Sequence, residues 1–276
     1  MLRKITLLTA FLAFVVSAQA QKEFKFGVYV EPSVSFFASN DKDVEPDGSN
    51  LGFTIGLLGE YYFGNSDNYA LIMGGNFSLG RGGSLFYEDG GRLFPDSELD
   101  AESYVSTSTG NIGTDGNEML LTPGTKVKYR LNYLEIPVGL KLRTNELGES
   151  YMRAFFQLPV LTIGIPVSAR ATIESPNETN FVNSTGDPVY YTPEKVKGEN
   201  VYKDIFPLQI QLGAGAGVEY APNEDGGLLL TAGLFYNYGF LDAVSTNELF
   251  ELNGSLEPNK ARTGFHNIGL RLGIVF

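Results

Sequence analysis

Between Tyr133 and Arg143 the chain reads YLEIPVGLKLR, and its side chains divide by parity. Leu134, Ile136, Val138, Leu140 and Leu142 take alternate positions, and Tyr133, Glu135, Pro137, Gly139, Lys141 and Arg143 take the others. Successive side chains of a strand point to opposite faces, so this segment has one apolar face and one that is polar, small or charged. The division recurs further along. Leu208, Ile210, Leu212, Ala214, Ala216 and Val218 alternate with Gln209, Gln211, Gly213, Gly215, Gly217 and Glu219. Ile268, Leu270, Leu272, Ile274 and Phe276 oppose Asn267, Gly269, Arg271 and Gly273. Phe53, Ile55, Leu57 and Tyr61 oppose Thr54, Gly56 and Glu60.

Carried through the chain, the period of two predicts eight strands: Phe26–Phe37, Leu51–Phe63, Tyr69–Gly80, Lys128–Arg143, Tyr151–Ile173, Ile205–Ala221, Leu228–Leu241 and Thr263–Phe276. Long helical patterns are missing, which makes the class all-β. The connections alternate in length. GNSDN, TNELGES and PNEDGG are short and rich in turn residues, whereas Ala38–Asn50, Arg81–Val127, Glu174–Asp204 and Asp242–Arg262 are long. An eight-stranded antiparallel transmembrane β-barrel with short periplasmic turns and long extracellular loops produces this order, and a soluble sandwich has no reason to keep it. The glycines of the second face suit a narrow lumen.

The charges on that face form a pattern. Glu60, Lys141, Glu219 and Arg271 fall near the turn ends of alternate strands with signs minus, plus, minus, plus, and Glu31, Glu135 and Arg153 share their parity. Unpaired charges in a dry lumen are costly, so these seven are expected to form a paired, structural cluster that closes the lower lumen. Aromatic residues bracket the strands as interfacial girdles do: Tyr61, Tyr62, Phe63, Tyr151, Tyr220 and Phe276 at the turn side, and Phe36, Phe37, Tyr129, Tyr236, Tyr238 and Phe240 at the loop side. Pro32, Pro137, Pro159, Pro166 and Pro207 interrupt predicted strands and call for bulges. Around Leu158–Leu161 the apolar parity switches, as an inserted residue makes it do.

The ends and the composition add a destination. Arg3 and Lys4, the apolar run Ile5–Val16 and the small-x-small Ala18-Gln19-Ala20 read as a signal peptide over residues 1–20, leaving 21–276 as the barrel. The chain has no cysteine, which excludes disulfides, thiolate metal sites and a lipid-bearing cysteine after the signal. The destination is then the outer membrane of a Gram-negative bacterium, in contact with its lipids and lipopolysaccharide. The formal charge is −12, which argues against nucleic acid as a partner.

The stretch YLEIPVGLKLR resembles the signature of the PorT-type family of outer-membrane β-barrels, in which a tyrosine-leucine-glutamate-isoleucine-proline run leads into an apolar strand with a basic residue. GAGAGVEY (Gly213–Tyr220) and the terminal Phe276 are similar as well. The resemblance implies an eight-stranded barrel. Its namesake takes part in protein secretion linked to gliding motility and surface-protein export, so other outer-membrane or secretion-system proteins are the implied partners. It implies no catalytic residues.

Candidate chemistry is sparse. The one histidine, His266, shares the outward parity of Ile268, with Ser245, Ser255 and Glu248 nearby in sequence; a lipid-modifying or proteolytic barrel would need such a group. Asp41, Asp43, Glu45 and Asp47 alternate as calcium ligands do, but Pro46 replaces the usual glycine and Gly52 the closing glutamate. No cofactor, metal or catalytic site is expected. Four functions fit the architecture: an accessory barrel displaying its loops, a small pore, a barrel enzyme, and a secreted calyx. The last requires Leu134, Ile136 and Val138 to point inward.

Overall fold

The computed structural model describes residues 24–40, 44–63, 67–88, 91–93, 119–121, 124–148, 150–174, 180–182, 188–190, 195–222, 227–244, 248–250, 256–260 and 262–276. The proposed signal over 1–20 lies outside them. Eight long strands carry the fold: β1 (Phe24–Ser39), β2 (Val44–Tyr62), β3 (Tyr69–Tyr87), β4 (Thr125–Arg143), β5 (Met152–Glu174), β6 (Gln209–Tyr220), β7 (Leu229–Gly239) and β8 (Thr263–Val275). Each pairs antiparallel with its neighbour in sequence, and β8 pairs with β1 (Gly27 opposite Val275, Ser39 opposite Thr263), which closes the ring. Closure leaves the ring without a free edge.

The outward positions are apolar around the barrel. Val28, Val30 and Val34 of β1, Phe53, Ile55 and Leu57 of β2, Leu134 to Leu142 at alternate positions of β4, and Ile268 to Ile274 of β8 are all exposed. Leu134, Ile136 and Val138 point outward, which removes the calyx. The inward glycines are not idle space. A Cβ at Gly56 would stand 2.3 Å from the Tyr29 ring, one at Gly215 2.2 Å from Phe235, and one at Gly269 2.5 Å from Glu31. Each glycine makes room for a large side chain that crosses the narrow interior.

Three expectations change. First, β2 begins at Val44 and β3 runs to Tyr87, so the first and second loops are shorter than the apolar pattern suggested. Glu45, Pro46 and Asp47 lie in β2, where they form no cation loop; Asp47 pairs with Lys126 at 2.5 Å. Asp41 and Asp43 lie outside the described residues. Second, Phe37, Tyr62 and Tyr129 are buried inside the ring, because their parity turns them inward. Of the remaining girdle residues at the turn end, Tyr61, Phe63, Tyr151 and Tyr220 are exposed and Phe276 is half-buried.

Third, the prolines are absorbed in more than one way. Pro159 and Pro166 flank register shifts between β4 and β5. Pro32 and Pro137 sit in unbroken register, where one ladder merely skips: β1–β8 passes from Val30–Leu272 to Ser33–Gly269, and β3–β4 from Met73–Val138 to Asn76–Glu135. The missing donor falls at each gap, so no extra residue is needed. Pro207 precedes β6 and interrupts no strand.

Candidate functional site

Three layers of charge occupy the enclosed interior. The lowest lies near the turn end. Glu60, Lys141 and Glu219, from β2, β4 and β6, point inward at matching heights. The Lys141 ammonium bridges Glu60 at 2.5 Å and Glu219 on its other side. Arg143, two positions on, pairs with Glu219 at 3.0 Å and donates to the Asp67 carbonyl from Nε at 2.9 Å and Nη2 at 2.7 Å. The Tyr62 hydroxyl donates to Glu60, and the Arg143 guanidinium lies 4.6 Å from the centre of the Tyr62 ring.

The middle layer is built on Arg271. Its Nη2 and Nε reach the same Glu31 carboxylate oxygen at 2.8 and 2.9 Å, and Nη1 reaches Gln157 Oε1 at 3.4 Å. The guanidinium is held between Tyr29 and Phe235, 4.1 and 3.8 Å from their ring centres. Such stacking suits the planar, weakly hydrated arginine cation. A cavity of about 20 Å³ separates this layer from the one below, room for about one water molecule and too small for a hydrated ion.

The third layer joins Arg81 to Glu135 at 3.4 Å, with Ser78 donating to the same carboxylate at 2.7 Å and Gln211 at 3.4 Å. Arg81 also donates to the hydroxyls of Ser78 and Thr54 at 3.2 Å each. Across the three layers Glu31, Glu60, Glu135 and Glu219 face Arg81, Lys141, Arg143 and Arg271, so the carboxylates and cations balance.

Above the charges the interior turns largely apolar, with Asp204 buried near Tyr87 and Tyr129. Phe37, Leu85, Tyr87, Tyr129, Leu131, Tyr133, Ile173 and Phe265 form one buried cluster with Val201, Ile205 and Val244. The ring is therefore filled twice over, by ion pairs below and by a hydrophobic core above.

Six of the seven residues expected in the lumen point into it: Glu31, Glu60, Glu135, Lys141, Glu219 and Arg271. Arg153 does not join them. It is half-buried at the turn end and pairs with Glu146 at 2.8 Å. Its position next to the Thr144–Ser150 turn lets the side chain swing to the rim, where hydration costs nothing. Arg143 and Arg81 complete the network. Arg143 carries the parity of Lys141, and only its place at the strand end hid it. Arg81 falls beyond the predicted end of β3, and a register shift between Ser78 and Arg81 is what turns it inward.

His266 lies on the outer wall but is 8 % exposed, stacked on Phe36 and Tyr236 with the Tyr238 ring edge-on. Its Nδ1 shares a 2.7 Å hydrogen bond with the Tyr236 hydroxyl. Ser245 and Ser255 lie outside the described residues.

The arrangement can hold charge, exclude water and resist compression. Every carboxylate of the three layers already faces a cation.

Known proteins were compared with this chain. A model of the outer membrane protein beta-barrel domain matches residues 18–245. Neisserial surface protein A is similar in structure, with 12 % identity and a TM-score of 0.36, covering 91 % of this chain and 95 % of that one. OprG from Pseudomonas aeruginosa shares 10 % identity at a TM-score of 0.36, covering 92 % and 95 %. The Escherichia coli outer membrane protease OmpT shares 9 % identity at a TM-score of 0.34, covering 92 % and 96 %. No curated protein matches the sequence. With the family model spanning most of the closed barrel, the chain belongs to the outer membrane protein beta-barrel domain family.

Proposed function

We propose that this is a closed, non-enzymatic barrel that works through its loop end, as an accessory to protein secretion or surface assembly, after its signal peptide is removed behind Ala20. One observation carries the reading: the lumen is filled across its height by paired charges and then by a largely apolar core. A pore needs a continuous wet path, and a barrel enzyme needs a reactive group open to substrate. Among the described residues the interior presents neither, and the sole histidine is covered by aromatic rings. The likeness of YLEIPVGLKLR to the PorT-type signature supports the secretion-linked role.

The test has two parts. Purified protein in planar bilayers is expected to give no steady conductance; a stable open level would replace this reading with that of a small pore. Affinity capture from native membranes is then compared between the full chain and a variant whose residues 89–123 are replaced by a short glycine-serine linker. Loss of a co-purifying envelope protein supports display by the loop. An unchanged set of partners counts against it.

A further inference from the structure

We propose that the loop-end rim of β4 and β5 binds the phosphate groups of a phosphorylated, acylated glycolipid in the outer leaflet. On the outer wall of β4, the apolar column Leu142 to Leu134 gives way to Asn132, Arg130, Lys128 and Lys126 at the same parity. On β5 the column ends at Val167, and Arg170 follows, directly opposite Arg130 in the ladder. The protein carries 32 acidic and 20 basic residues, yet three of those basic residues meet at this one place.

Lys128, Arg130 and Arg170 are exposed and have no ion-pair partner among the described residues. Lys126 differs, because Asp47 neutralises it. Like charges placed directly opposite in a ladder repel each other, and an anion bound between the two arginines relieves this.

The site also has a shape. A hollow of about 370 Å³ is lined by Leu51, Gly80, Lys128, Arg130, Arg170 and Gly198. Gly80 and Gly198 have φ of +72° and +76°, and a Cβ at either would come within 3.8 Å of Arg130 Nε or Arg170 Nη1. The left-handed backbone at both positions favours glycine, and it places bare backbone beside both arginine side chains. Leu51, 84 % exposed, forms the apolar side.

The level fits a lipid. At a rise of ~3.3 Å per residue and a strand tilt of ~40°, Arg130 lies roughly 10 Å above Leu134, within reach of headgroups through its flexible stem. A ligand with phosphates above and acyl chains below matches cations that stand over an exposed leucine. A soluble phosphate uses only the first half of the site. The proposal rests on the loop end standing in the outer leaflet and is independent of whether the lumen is closed.

The experiment is native mass spectrometry of the full chain released from phosphatidylcholine nanodiscs doped with diphosphoryl lipid A or with its dephosphorylated form. The wild type is expected to retain the diphosphoryl form about tenfold better, as paired charge-assisted hydrogen bonds allow. The triple variant Lys128→Gln, Arg130→Gln, Arg170→Gln is expected to lose that preference, and Lys126→Gln to keep it. Equal retention of the two lipids by the wild type overturns the proposal, and this comparison needs no variant to fold. An unchanged preference in a folded triple variant overturns it too. Displacement of the lipid by millimolar inorganic phosphate would instead assign the site to a free anion.

Discussion

The two ends of this barrel are built on opposite rules, and single strands cross from one to the other. Along β4, the lower half turns Glu135, Gly139, Lys141 and Arg143 inward and Leu134 to Leu142 outward. The upper half turns Tyr133, Leu131, Tyr129 and Val127 inward and Asn132, Arg130, Lys128 and Lys126 outward. The parity never changes; the chemistry does. In the lower half the surrounding solvent is hydrocarbon, so nothing drives apolar side chains inside, and the enclosed face can carry charges provided they are paired. In the upper half water surrounds the wall, and the ordinary hydrophobic effect fills the interior with aromatic and aliphatic groups. The boundary, between Tyr133 and Glu135, marks the outer limit of the hydrocarbon.

The sharpest way to break this contrast is to unpair the lower half. Lys141→Ala leaves Glu60 without a cation in the enclosed interior and Glu219 with Arg143 alone, and is expected to cost about 3–5 kcal/mol, read as a lower urea midpoint by circular dichroism in detergent. A midpoint within error of wild type would show that water reaches the lower layer. Leu131→Ala attacks the other half: a cavity in the upper core is expected to cost about 3 kcal/mol in the same titration. The outer faces give the next contrast. Ile136→Lys places a charge against hydrocarbon and is expected to cost about 2–3 kcal/mol in vesicles, whereas Lys128→Ile, on the same face above the boundary, should change stability by less than about 0.5 kcal/mol. Equal costs for the two would move the boundary. Smallest of all is Arg153→Ala, which removes a half-exposed pair with Glu146 and should shift the midpoint by no more than about 0.5 kcal/mol.

Much of this was legible before any coordinates. The outward leucines, the inward glutamates and the alternation of short and long connections follow from a period of two and from turn residues such as those of GNSDN. The strand limits at the loop end were not. Val44–Asn50 and Arg81–Tyr87 extend β2 and β3 above the hydrocarbon, where the outward face is no longer apolar, so alternating hydrophobics do not mark them. Phe37 and Tyr129 read as girdle residues in sequence for a related reason: a strand-end aromatic looks alike whether it faces lipid or a core.

The sequence by itself determined the class of fold, the faces of the membrane-level strands and the enclosure of most of the charges, because parity is a local property of an extended chain. Only the tertiary structure decided which charges meet. Pairing depends on stagger between strands distant in sequence, on shifts such as the one that turns Arg81 inward, and on the turn that draws Arg153 to Glu146 at the rim. It also decided that Arg130 and Arg170 stand side by side, since the register of β4 against β5 is set by the whole closed ring.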